Sequence, residues 1–236
     1  MDKKRCDLRL ATALQFITVP AVKKHTATVI FVHVSAVLGD TGYGWHPVAT
    51  MFQKDHSLEH VKFVLPHSPE APVTANMGIV MPFVVNAEDE AGILKSRASL
   101  IQLIDAEIAA GTPPNRIVLG GFSQGASMSL FTSLSLDKQL AGVVCLSGWI
   151  LIKTTFQKPH ACPAFDPLPI FWGHGSADPL VKPKFAEESI DWLKSIGIRS
   201  LSGLSYTFYP GVGHSTNMQE LEDLKVWIAK VIPERV

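Results

Sequence analysis

Arg116-Ile117-Val118-Leu119-Gly120-Gly121-Phe122-Ser123-Gln124-Gly125-Ala126 is the stretch on which the reading of this chain turns. Ile117–Gly120 is a short, continuously apolar run of the kind that forms a strand covered on both faces. Ala126–Leu136 follows with the composition of a helix. Between them Gly121-Phe122-Ser123-Gln124-Gly125 matches G-x-S-x-G. Alone that string is weak. Between a strand and a helix it specifies a sharp turn that lifts a serine hydroxyl clear of its neighbours, with glycines where backbones crowd too closely for a Cβ. The free N–H groups at the start of the helix then point at any oxyanion formed beside the serine.

The same alternation extends outward. Thr28–His33, Val61–Leu65, Gly142–Leu146, Ile170–Gly173 and Tyr206–Tyr209 read as further buried strands. Ile93, Leu100, Ile101, Ile104 and Ile108 share one helical face, which Gly111-Thr112-Pro113-Pro114 ends. Phe185, Ile190, Leu193 and Ile196 form a second face stopped by Gly197, and Leu221, Leu224, Ile228 and Val231 a third ended by Pro233. Strands alternating with helices predict an α/β fold: a mostly parallel central sheet with helices on both faces and reacting groups beyond the C-terminal strand ends. At 236 residues the chain suits one large domain. We expect it over 25–236, after an irregular N-terminal arm over 1–24.

Composition narrows the function. Twenty-one basic residues balance 21 acidic ones without clustering, so no field attracts a polyanion and nucleic acid is not expected as a partner. No apolar run approaches the roughly 20 residues that span a bilayer. Lys3-Lys4-Arg5 ahead of Leu8–Val22 imitates a secretory leader. Arg9, Gln15 and Pro20 interrupt its apolar stretch, and Asp2 and Asp7 do not suit a mitochondrial presequence. Cys6, Cys145 and Cys162 are odd in number and irregularly spaced, which fits free thiols in a reducing compartment. The expected location is the cytoplasm.

A serine hydroxyl needs a base, and the base an orienting carboxylate. Where strand, turn and helix carry the serine in this way, the partners follow in the order Asp, then His. Asp178 lies in Gly173-His174-Gly175-Ser176-Ala177-Asp178-Pro179, just past one predicted strand. His214 lies in Gly211-Val212-Gly213-His214-Ser215, just past the next. Ser123, His214 and Asp178 therefore form a candidate catalytic triad for acyl transfer. Its rate is expected to rise with pH as the general base loses its proton.

The chain also resembles the acyl-protein thioesterase branch of the phospholipase/carboxylesterase family of α/β-hydrolases. The matching pieces are Thr28–His33, Gly39-Asp40-Thr41-Gly42 with Trp45, Asn76-Met77, Glu88–Ile93, Asn115–Gly125, Leu146-Ser147-Gly148-Trp149, His174-Gly175 through Asp178-Pro179-Leu180-Val181, and His214-Ser215. They span about residues 25–236. The resemblance implies a serine hydrolase that cleaves palmitoyl thioesters from protein cysteines, with Ser123 as nucleophile, His214 as base and then acid, and Asp178 as its orienter. It implies oxyanion donors in the backbone N–H groups of Gln124 and Leu38, and an acyl groove bordered by Trp149 and Leu180. It implies no metal and no organic cofactor. S-acylated proteins or other acyl esters are the implied substrates, with at most transient contact with a membrane surface, and a cytoplasmic location that extends to the nucleus. A carboxylesterase or lysophospholipase acting on small esters with the same triad, and an inactive hydrolase-fold binder, are the alternatives.

Two interruptions break the resemblance. The family's His-Gly-Leu-Gly-Asp reads here His33-Val34-Ser35-Ala36-Val37-Leu38-Gly39-Asp40, with extra residues inside the oxyanion loop; one lost oxyanion donor costs roughly 10²–10³ in rate. After Met81-Pro82, about a dozen residues of the family pattern are missing before Glu88. Both breaks are abrupt, which suggests a splicing origin. The remaining signals are weaker. His56 and His60 stand four apart and read as a solvated helix face, since a zinc hydrolase needs a third ligand and a base. His33 and His174 read as loop-shaping residues, and Cys145 as a buried small apolar residue. Ser147 lacks the glycine-flanked turn that would make it a nucleophile.

Overall fold

The computed structural model describes residues 13–33, 42–67, 90–151, 168–198 and 203–235. Seven strands form one sheet: β1 (Phe16–Val19), β2 (Ala27–His33), β3 (Val61–Pro66), β4 (Ile117–Phe122), β5 (Gly142–Leu146), β6 (Ile170–Gly175) and β7 (Leu204–Tyr209). Their order is β1-β3-β2-β4-β5-β6-β7. Every neighbouring pair is parallel except β1 with β3. Among the described residues five α-helices accompany them: α1 (His46–Gln53), α2 (Glu90–Ala109), α3 (Gln124–Leu134), α4 (Pro183–Ser195) and α5 (Met218–Val231).

Both faces of the sheet are covered, which is why its strands are continuously apolar. Along β2, Ile30 and Val32 enter one core while Val29 and Phe31 enter the other. β5 does the same, sending Val143 and Cys145 to one side and Val144 and Leu146 to the other. The first core is closed by α2, α3 and α4 through Leu100, Ile104, Leu130, Ile190 and Leu193. The second is closed by α1 and α5 through Phe52, Leu221, Leu224 and Ile228. Burying such side chains contributes roughly 1.5–3 kcal/mol each.

Polar staples hold the end of the sheet opposite the C-terminal strand ends. The buried Arg116 donates to Thr26 O (2.9 Å) and Pro233 O (2.7 Å), tying β4 to the chain after α5. Thr28 donates to Glu107 Oε2 at 2.8 Å, and Lys62 Nζ lies 2.6 Å from Oε1 of the same carboxylate.

The six strands expected from sequence are present, most extended by a residue or two. The expectation of an irregular arm over 1–24 requires correction. Phe16–Val19 forms the edge strand β1, paired antiparallel with Phe63–Pro66, so the sheet begins within the arm. Residues 1–12, with Cys6, lie outside the described residues. The His56/His60 reading also needs correction. The helical turn there ends at Leu58, so the two rings do not share a face. His56 is exposed beside Glu59, whereas His60 is buried, its ring Nε2 2.9 Å from Ile232 O. Among the described residues no helix is long and apolar enough to cross a membrane, and no group of three or more His, Cys, Asp or Glu could hold a metal ion.

Candidate active site

Ser123 sits between the end of β4 and the first residue of α3 with φ 56° and ψ −125°. A residue with a side chain is held there only by its surroundings. Ser123 N–H donates to Leu146 O (2.8 Å), and its own carbonyl accepts from Ser127 N (3.1 Å). The flanking glycines are required by a close approach. A Cβ on Gly121 would lie 2.4 Å from Val32 O and 2.6 Å from the Gly125 carbonyl carbon; one on Gly125 would lie 2.3 Å from Val32 O. The turn is thus pressed against the end of β2, which leaves Oγ facing outward.

The other two members arrive on the loops after β6 and β7. His214 Nε2 lies 3.0 Å from Ser123 Oγ, and His214 Nδ1 lies 2.7 Å from Asp178 Oδ2. The remaining oxygen of Asp178, Oδ1, accepts from Leu180 N and Val181 N, both at 2.9 Å. Burial pushes the Asp178 carboxyl up, but the His214 hydrogen bond and charge, with those two N–H groups, hold it below its ordinary value. Asp178 is therefore an anion that keeps the proton of a neutral His214 on Nδ1 and leaves the Nε2 lone pair for the serine.

His174 braces the Asp178 turn. Its ring is fully buried, with Nε2 2.8 Å from Val181 O. A carbonyl can only accept, so Nε2 carries the proton. Burial lowers the pKa of His174, keeping it neutral 3.7 Å from Asp178 Oδ2. The two catalytic loops are also joined directly. Ser176 N–H donates to Tyr209 O and Ala177 N–H to Val212 O, each at 2.9 Å, and Gly211 N–H donates to Ser176 Oγ at 2.9 Å. Gly175 permits this contact, because a Cβ there would meet Gly213 O and Val212 O at 2.3 Å.

The structure thus brings together Ser123, His214 and Asp178 as the sequence predicted. Gln124 is the first residue of α3, so its N–H is free of the helical ladder on the serine side. Trp149 is placed beside the turn by a hydrogen bond from its N–H to Ser127 Oγ (2.9 Å). Leu180 is 55% exposed on the Asp178 loop. Leu38, with the inserted Val34–Val37 segment and the shortened segment after Pro82, lies outside the described residues, as does Cys162. Ser147 also has a positive φ (49°), but it is fully buried and unavailable to a substrate. Cys145 is a free, buried thiol whose pKa burial raises strongly.

Sequence reasoning passed over Glu220. It is fully buried, and neither carboxyl oxygen has a hydrogen-bond partner. Asn217 Oδ1 accepts from Glu220 N at 2.8 Å, which makes half of a capping box at the start of α5. The reciprocal bond to Asn217 N–H is not formed. Burial, with the charge of Asp223, raises the Glu220 pKa to about 7, and the nearby Asn217 backbone draws it only partly back. The only sequence signal was Asn217 three residues ahead of a glutamate, which indicates a cap and says nothing of burial.

Comparison with known proteins agrees with this geometry. The sequence profile of the Phospholipase/Carboxylesterase family matches residues 14–232. Acyl-protein thioesterase 1 of Neurospora crassa is 41% identical over 232 residues, 92% of each chain. Acyl-protein thioesterase 1 of Cryptococcus neoformans is 40% identical, covering 94% of this chain and all of that one. The crystal structure of Arabidopsis thaliana SOBER1 superposes with a TM-score of 0.75 at 31% identity, over 88% of this chain and 99% of that one. The chain belongs to the phospholipase/carboxylesterase family of α/β-hydrolases.

Proposed function

We propose that this hydrolase is an acyl-protein thioesterase, releasing long-chain acyl groups such as palmitate from protein cysteines through an acyl-serine intermediate. The observation that carries the reading is the unbroken line from Ser123 Oγ through the His214 ring to Asp178, at 3.0 and 2.7 Å. Curated relatives named acyl-protein thioesterase 1, about 40% identical over more than nine-tenths of the chain, support the substrate class.

In this reading Ser123 Oγ attacks the thioester carbonyl carbon as its proton passes to His214 Nε2. The new alkoxide is met by the Gln124 N–H at the start of α3, where the helix dipole favours negative charge. The family resemblance assigns the second donor to Leu38. Collapse breaks the carbon–sulfur bond, and the cysteine leaves with the proton from His214. Water, giving its proton to His214, then attacks the acyl-serine and frees the fatty acid and Ser123. Trp149 and the exposed Leu180 border the acyl chain. The family resemblance implies no metal or organic cofactor, and an acylated protein is the substrate. A small-ester esterase would use the same triad; a pure binder has no use for a serine hydrogen-bonded to a histidine.

The test is to trap the intermediate. Acid quench during turnover of a palmitoyl-thioester peptide, followed by mass analysis of the digested enzyme, should find the palmitoyl group on the peptide carrying Ser123. An acyl group elsewhere, or none during demonstrable turnover, would overturn the assignment.

A further inference from the structure

The hydrogen bonds to Asp178 and Ser123 leave from opposite nitrogens of the His214 ring. Two bonds in the ring plane fix its position along one line but not its tilt about that line. The tilt depends on what packs against the ring. The Phe122 ring packs against the imidazole, its centroid 4.9 Å from that of His214 and its plane inclined by 50°.

Phe122 cannot yield. Its backbone is the last rung of β4, paired with His33 of β2 on one side and Leu146 of β5 on the other. Its side chain is buried. Behind it stand Trp45, with ring centroids 6.0 Å apart, and the edge of His33, also at 6.0 Å. Trp45 in turn rests on Phe31 at 4.3 Å. Phe31, Trp45, Phe122 and His214 therefore form a continuous stack from the core to the candidate base.

We propose that Phe122 is a positioning residue for His214: its ring sets the tilt at which Nε2 meets the serine and presents a π face to the charge the histidine acquires. The proposal rests on the reading of His214 as the base. As Ser123 Oγ bonds to the carbonyl carbon, its proton moves to Nε2 and the imidazole becomes an imidazolium. An aromatic face attracts such a cation, most strongly where water is excluded. Among the described residues, the other titratable groups around the ring are Asp178 in direct contact, the buried neutral His174 beside Asp178, and His33 against Phe122. Phe122 is an uncharged neighbour that responds differently to the two protonation states.

The experiment compares Phe122→Leu, Phe122→Met and Phe122→Tyr with the unaltered protein. Each is checked for folding by thermal melting, and kcat and KM are measured from pH 5 to 9 on one acyl ester. Leu and Met keep apolar bulk but remove the π face. Whichever of them folds should lose about tenfold in kcat, the order of one desolvated cation–π contact. KM should change less than twofold, and the acid limb of kcat/KM should move down by about one pH unit, because the imidazolium loses its neighbour. Phe122→Tyr should restore both. A folded Leu or Met variant with an unmoved acid limb, or a loss that Tyr does not restore, would overturn the proposal and leave Phe122 a packing residue. Full turnover by His214→Ala would instead refute the reading of His214 as base, an outcome separable from the first.

Discussion

Glu220→Gln separates a buried carboxyl from a surface one, and its effect can be worked out from the structure. Glu220 lies in the first turn of α5, with Oε1 only 2.2 Å from where a Cβ on Gly173 would stand, so the carboxyl is packed against β6 without room for hydration. Burial holds it at about 7 instead of the ordinary 4.5. The folded pKa is raised, so the carboxyl favours the unfolded chain wherever it must ionise. The penalty is absent below pH 4.5, grows between 4.5 and 7, and is constant above 7. At the plateau it amounts to about 3 kcal/mol. Glutamine cannot ionise and nearly matches the volume. In urea titrations at pH 8 the Gln variant should be more stable than the parent by about 2–3 kcal/mol. At pH 4.5 the difference should shrink to within about 1 kcal/mol, because both side chains are then neutral and equally unpartnered. A Gln variant whose advantage does not grow between pH 4.5 and 8 would refute the burial argument.

Other expectations follow from the same structure. Gly125→Ala would place a methyl 2.3 Å from Val32 O, a backbone atom of a central strand. It should destabilise by about 2 kcal/mol or more and abolish esterase activity by moving Ser123, as read from a melting curve and a chromogenic ester. Asp178→Asn should leave the fold intact but lower kcat by about 10⁴, because the amide favours the wrong tautomer of His214; a loss under tenfold would contradict the role given to Asp178. Arg116→Met should leave Thr26 O and Pro233 O without their charged donor and cost about 1–3 kcal/mol, with unchanged kcat in the folded fraction.

Much of the fold was legible because its strands lie between two cores. Runs such as Gly142–Leu146 are apolar at every position when both faces are buried, and the structure confirms that reading residue for residue. The edge strand β1 was not legible for the converse reason. Phe16 and Thr18 are exposed, and only Val19 is fully buried, so four residues with mixed exposure next to Pro20 carry no such signal. The triad could be read because Ser123, Asp178 and His214 each follow a recognisable strand, and strand ends converge on one edge of a parallel sheet. What sequence could not supply were contacts between distant segments. The Phe122 ring on His214 depends on how the loop after β7 folds back. The buried His60 depends on the end of α5, 172 residues later. Glu220 gave no signal of burial because an acid in the first turn of an amphipathic helix is ordinarily an exposed partner of the dipole; here its side chain packs against β6.

The central claim is that this triad hydrolyses long-chain thioesters. Its most direct test is turnover of an S-palmitoylated peptide beside short-chain and long-chain oxygen esters, by the protein and by Ser123→Ala. The account predicts Ser123-dependent release of palmitate from the thioester, with kcat/KM above that for a short oxygen ester. A folded protein that leaves the thioester intact, or cleaves it equally well without Ser123, would contradict it.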